Sequence, residues 1–295
     1  MTIVMTGEFQ HSHQPYRERP FEAQVPLING DLVHYQDLAA RVQNSDYGKF
    51  METQKLRYCG EGRSFEYARI KMLTDLGSDL HPIGHQNETA RWAANLLLAG
   101  KLSGAPIMLS DEHVALLMFA SSIHDMGESM HPHIEAATGA VIGDIPAGQK
   151  TSYHKEIEKR VRQHIYETLL YDVDPDFLQR VERIIAHQPD THDNIVHELI
   201  EAAHIMQSFD TARRAYEHST AFFKELHRGE TLNIASYDGG RRSGLLGLHR
   251  HVFLSGCEDV LELATRYTLV AQEVEPYLDE IERYRTYKAD LLQAA

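Results

Sequence analysis

The chain has 295 residues, room for one large domain or two small ones, and its 42% hydrophobic and 24% charged content is that of a globular protein with a sizeable core. Its 43 acidic against 29 basic side chains give a formal charge of −14, which argues against wrapping a polyanion such as duplex DNA. No apolar stretch approaches the length needed to cross a bilayer. The opening "MTIVMTGE" has neither the basic nor the apolar region of a secretion signal. Cys59 and Cys257 stand far apart, without metal-knuckle spacing. The expectation is a cytoplasmic protein in a reducing setting, with no nucleic-acid polymer and no membrane as partner. A small anionic substrate remains compatible with the charge if a metal and a few basic side chains converge locally. Histidine is abundant, at 19 residues, which by itself assigns no role.

Residues 1 to 30, with Pro15, Pro20 and Pro26, show no periodicity and read as an irregular N-terminal arm. Segments 30 to 43 and 64 to 76 place apolar residues at intervals of three and four behind Asp31 and Ser64, which fit as caps of two helices. A more apolar helix is expected over 87 to 100, ending at Gly100. The stretch "SDEHVALLMFASSIHDMG" (110 to 127) opens on a Ser or Asp cap and closes at Gly127. It is apolar nearly throughout, the mark of a helix buried on almost all sides. Residues 128 to 150 read as loop, and long helical patterns follow at 151 to 171, 175 to 187, 192 to 227 and 257 to 293. Pro189 and "YDGGRRSGLLG" (237 to 247) break them, and "ETLNIASYD" (230 to 238) is the one modest strand candidate. The expected fold is all-α: a helical core with leading helices over 31 to 228 and a C-terminal helical extension over 229 to 295 packed on it.

The chemistry concentrates at the end of the apolar helix, where His124 and Asp125 are adjacent and Glu128 follows. Neighbouring side chains at a helix C-terminus diverge, so both reach one metal only if the helix loosens there, which Gly127 permits. His85, at the start of the preceding helix, comes towards His124 if the two helices pack together. Imidazole nitrogen with carboxylate oxygen suits Mn, Co, Fe, Ni or Zn, and the lack of thiolates fits a catalytic more than a structural site.

A histidine opening a helix with Ala90 and Ala93, an apolar helix ending in His124-Asp125, and a later helix with another ligand resemble the HD superfamily of metal-dependent phosphohydrolases. Within it, the pattern is similar to the 5'-deoxynucleotidase branch: His85, His124-Asp125, Glu128, then "GDIPAGQK" (143 to 150) and "YHKEIEKRV" (153 to 161). The resemblance covers about residues 69 to 225 and implies an HD-domain helical bundle with added N- and C-terminal helices. It also implies hydrolysis of a nucleoside 5'-monophosphate or similar small phosphate ester with a divalent metal (Mn, Co, Mg, Fe or Zn), and a homodimer.

By this resemblance His85, His124 and Asp125 are metal ligands, Glu128 or Asp144 positions the water or protonates the leaving oxygen, and Arg69 and Lys150 hold phosphate. Two departures stand out. Where the family carries an Asp as fourth ligand, this chain has His204, with Asp210 as a shifted alternative. The interval from Glu128 to Asp144 is lengthened by "SMHPHIEAATGAV". His154 and His187 stand at intervals that fit the second-metal ligands of dinuclear members. That keeps a di-iron oxygenase in view as an alternative, beside a non-catalytic HD module that binds a nucleotide or a partner.

Overall fold

The apolar periodicity resolves into helices in the computed structural model, which describes residues 19–53, 82–129, 152–229, 253–254, 257 and 260–294. Among the described residues the helices are α1 (Tyr35–Gln43), α2 (Asp46–Thr53), α3 (Pro82–Ala99), α4 (Asp111–Ile123), α5 (Ser152–Leu169), α6 (Pro175–Ile185), α7 (Asn194–Gly229), α8 (Thr268–Val274) and α9 (Leu278–Ala294). The only sheets among them are two antiparallel pairs, β1 (Gln24–Pro26) with β2 (Leu32–His34), and β3 (Lys101–Leu102) with β4 (Ala105–Pro106). The fold is all-α. The expected helix at 64 to 76, the strand at 230 to 238 and the Gly-Arg loop at 237 to 247 lie outside the described residues.

The chain divides into two compact units, the first holding the described residues up to His204 apart from Lys101–Ala105, the second holding that hairpin and the chain from Ile205 onward. In the first unit α4 is the central helix. Every residue from Val114 to Ile123 is buried, and α1, α3, α6 and β1 pack around it. Each large apolar side chain taken out of water there contributes roughly 1.5 to 3 kcal/mol. Ser110 caps α4, its hydroxyl accepting the His113 N–H at 3.2 Å. Asp174 caps α6 in the same way, accepting from Phe177 N–H at 2.9 Å ahead of Pro175.

Two elements, α2 and the β3–β4 hairpin, form where the sequence reading placed none, and three further stretches differ from it in form. The end of the arm is structured: Ala23 and Val25 are fully buried, Val25 pairs opposite Val33, and Pro26 C=O accepts Asp174 N–H at 2.9 Å. Asp31 does not cap α1. It sits in a local turn, where Asn29 Nδ2 donates to its carboxylate at 2.7 Å and its own N–H donates to Asn29 Oδ1 at 3.0 Å. Side chains of this type compete for nearby backbone in turns. The cap falls to His34, whose Nδ1 accepts Gln36 N–H at 3.3 Å. The C-terminal helix is not continuous from 257 to 293. Extended backbone at Tyr267 (φ −115°, ψ 118°) separates a helical stretch at 260–264 from α8, and a 3₁₀ turn at Glu275–Tyr277, containing Pro276, separates α8 from α9.

In the second unit an aromatic cluster joins the middle of α7 to Phe253 and to the 3₁₀ turn that precedes α9. Phe253 lies 5.4 Å from Phe209, 5.3 Å from Tyr216 and 5.0 Å from Tyr277, ring centre to ring centre. Among the described residues no helix is long and apolar enough to cross a membrane.

Candidate metal centre

Three elements of the first unit converge on one point. α3 begins at Pro82, earlier than its periodicity suggests, and this sets His85 in the first turn, 6% exposed. α4 ends at Ile123 with His124 still in helical geometry (φ −56°, ψ −35°). Asp125 then moves to φ −92°, ψ 2°, and the chain tightens into a 3₁₀ turn over Met126–Glu128. That change of winding lets two adjacent side chains face the same way, with Asp125 Oδ2 3.3 Å from His124 Nε2.

The reason for Gly127 is space. A Cβ there would lie 3.0 Å from Glu158 C=O and 2.5 Å from the Arg162 guanidinium, because α5 packs directly on the 3₁₀ turn. The glycine therefore serves close approach, not the loosening of the helix that its position suggests.

His204, on α7, completes the group. The ligand-capable atoms of His85, His124 and His204 all lie within 4.8 Å of one another. His124 Nε2 is 3.2 Å from His85 Nε2, and His85 Nε2 is 3.3 Å from Asp125 Oδ2. The His85 and His204 rings are 4.8 Å apart, those of His124 and His204 5.5 Å. Ligands about 2.0 to 2.1 Å from a tetrahedral ion are separated from each other by about 3.3 Å, so the two histidines and the aspartate already have the spacing of a coordination shell.

The tautomer of His124 agrees with that use. Its Nδ1 is 2.8 Å from Ser121 C=O, so Nδ1–H donates to the backbone and Nε2 keeps its lone pair towards the cluster. Such a bond is the usual support behind a metal-bound imidazole. Thr89 braces the other side by donating to His85 C=O at 2.9 Å.

Electrostatics keep the group ready for a cation. Burial pushes the Asp125 carboxyl up, but His124, His85 and His204 together outweigh it and hold the group well below the usual carboxylate range. Burial, reinforced by His85 and His124, lowers His204 to about 4. The centre is thus an ionised carboxylate, Asp125, beside His204, whose imidazole keeps a free lone pair at neutral pH, with His85 and His124 next to them. Donors of this kind fit a divalent first-row transition metal.

The other sequence candidates fall as follows. Asp210, the alternative fourth ligand, is engaged on its own helix by Arg213 and by Arg214, the latter at 2.5 Å. It is His204 that stands with His85 and His124. Glu128 lies in the 3₁₀ turn and His154 in the first turn of α5. Arg69, Asp144 and Lys150 lie outside the described residues. His187, a candidate for a second metal, groups instead with His197 and Glu201. Neither of those two was singled out from the sequence, although a His and a Glu four apart on one helix share a face and signal such a pair. A third group, Asp190, His192 and Asp193, is already neutralised. Arg180 forks onto Asp193 at 2.6 and 3.0 Å, and Arg183 holds Asp190.

No protein-family model, curated protein or solved structure matches the chain.

Proposed function

We propose that the chain is a divalent-metal phosphohydrolase that removes phosphate from a nucleoside 5'-monophosphate or a similar small phosphate ester. The observation that carries this reading is the convergence of His85, His124, Asp125 and His204 from three separate elements into one group with ligand spacing, His85 buried and the others partly accessible. The residues that meet are those that the resemblance to HD phosphohydrolases names as ligands, with His204 in place of the family's Asp.

These four residues would hold the ion, which supplies Lewis acidity towards a phosphate oxygen and a bound water acidic enough to attack near neutral pH. The protein's own part is to keep Asp125 ionised, to keep His204 neutral and to hold the donors in place. Ser121 C=O orients His124, and the flanking imidazoles keep Asp125 ionised. Water and ester are consumed, and free phosphate and the alcohol are released. Glu128 and Asp144 are the carboxylates assigned to guiding the water and protonating the leaving oxygen, and Arg69 and Lys150 the cations assigned to the phosphate. A shell of three imidazoles and one carboxylate has one negative charge fewer than the family's pattern, which shifts preference towards nitrogen-loving ions such as Zn, Co or Fe over Mg.

The test is metal content of the purified chain by mass spectrometry, then phosphate release from a panel of nucleoside monophosphates with added Mn, Co, Zn or Mg. A bound metal with release that disappears in Asp125→Ala, at unchanged helical content, supports the hydrolase. Bound iron without phosphate release moves the assignment to the oxygenase alternative. Absence of metal affinity moves it to the binding module.

A further inference from the structure

The junction between α6 and α7 carries a group of side chains that the proposed hydrolysis does not use. His197 and Glu201 lie four residues apart on α7, with His197 Nε2 3.8 Å from Glu201 Oε1. His187 reaches them from the end of α6, its Nδ1 3.0 Å from His197 Nε2 and 3.4 Å from Glu201 Oε1. The three atoms form a triangle whose edges bracket the roughly 3.3 Å separation of ligands on a tetrahedral first-row metal. Among the described residues no Arg or Lys pairs with Glu201, unlike Asp190 and Asp193 nearby.

The backbone under His187 points the same way. α6 closes with His187 N–H donating to Ile184 C=O at 3.1 Å and Gln188 N–H to Arg183 C=O at 2.8 Å. That pair of bonds places residue 187 at the left-handed position where helices usually carry glycine. Here it is a histidine at φ +57°, a conformation that costs a residue with a Cβ about 1 kcal/mol or more. Glycine would satisfy the turn without that cost, so the imidazole is held there at the expense of local stability.

We propose that His187, His197 and Glu201 form a second metal site for a divalent ion of the zinc class, with three protein ligands and solvent completing the shell. The site is partly exposed and shares no ligand with the centre at His85, His124, Asp125 and His204. Bound there, the ion ties the C-terminus of α6 to α7 one turn before His204, so it braces the helix that brings His204 to the centre.

The full chain is stripped of metal and titrated with Zn²⁺ against a chromophoric chelator, in wild type, His187→Gly, Glu201→Gln and His124→Asn. His187→Gly restores the residue that the turn favours, so the fold survives while the ligand is lost. Two equivalents in wild type are expected, with one lost in His187→Gly and in Glu201→Gln through an affinity drop of about 100-fold. The other is lost in His124→Asn. If His187→Gly binds as many ions as wild type with the same affinities, the proposal is overturned and the pair is only hydrogen-bonded. The two sites fail independently. A single equivalent that survives His187→Gly but not His124→Asn removes this site and leaves the centre at His85, His124, Asp125 and His204. The reverse pattern keeps this site and removes the centre.

Discussion

Burial and two neighbouring imidazoles keep His204 neutral down to about pH 4 in the folded chain, whereas an exposed histidine in the unfolded chain titrates near 6.5. Between these values the unfolded state binds a proton that the folded state refuses. His204 therefore contributes its full share of the metal-free protein's stability above about pH 6.5, and that share is lost progressively as pH falls towards 4. His113 and His197 are also lowered, each first by burial, and act in the same direction. The comparison that isolates His204 is urea denaturation of wild type and His204→Asn across pH 4 to 7, where the variant's curve should be flatter. Metal binding should weaken over the same window, because protons compete for the same lone pairs. Ligand choice is tested directly at this scale: His204→Ala should lower metal affinity at least about tenfold and Asp210→Ala should leave it unchanged, since Asp210 is tied to Arg213 and Arg214. Equal loss in both would show that the ligand assignment is wrong.

The elements are held in register by a few close contacts between helices, and these are where single changes should cost most. At the turn after α4, Gly127→Ala forces a Cβ against Glu158 C=O at 3.0 Å, and either α5 shifts or the turn does. We expect a loss of about 1 to 3 kcal/mol, with a larger effect on metal affinity than on helical content because Asp125 lies two residues away. The link between α5 and α6 is a forked pair, Arg162 to Glu182 at 2.8 and 2.9 Å, with Tyr166 O–H donating to the same carboxylate at 3.1 Å. Arg162→Met leaves that carboxylate with only the tyrosine and should destabilise by about 3 kcal/mol, read from the shift in denaturation midpoint. The double change Arg162→Met with Glu182→Leu should recover much of the loss, because it removes the stranded charge as well as the pair.

For the whole molecule, a metal that binds only the folded state raises stability by mass action. Zn²⁺ at about one hundred times its dissociation constant should add about 2.7 kcal/mol. That is several degrees in melting temperature for a chain of this size, and Asp125→Ala should remove the share of the shift that comes from the His85, His124, Asp125 and His204 centre. Much of the architecture behind this behaviour was legible in the amino-acid order. The nearly continuous apolar run from Val114 to Ile123, interrupted only by Ser121 and Ser122, read as a helix buried on almost all sides, the helical pattern from 175 placed the start of α6, and the His124-Asp125 pair marked where α4 ends. Less legible were features set by competition or by distant partners. Asp31 had the chemistry of a cap but was drawn into a turn by Asn29, and Val25 is a strand residue only because Val33 lies opposite it. Tyr267 breaks a periodic helix where its backbone bridges to Leu102 within the second unit.

The sequence by itself determined the all-α class, the identity of the buried central helix and the presence of ligand-type side chains at His85, His124, Asp125 and His204. These are encoded locally, by apolar period, caps and residue chemistry. Only the tertiary structure decided which of those side chains meet, that His204 and not Asp210 stands beside His85 and His124, and that His187 belongs with His197 and Glu201. Such meetings depend on where three helices cross and on a change of winding at Asp125. Neither leaves a periodic trace in the order of residues, because each is fixed by the packing of the entire first unit.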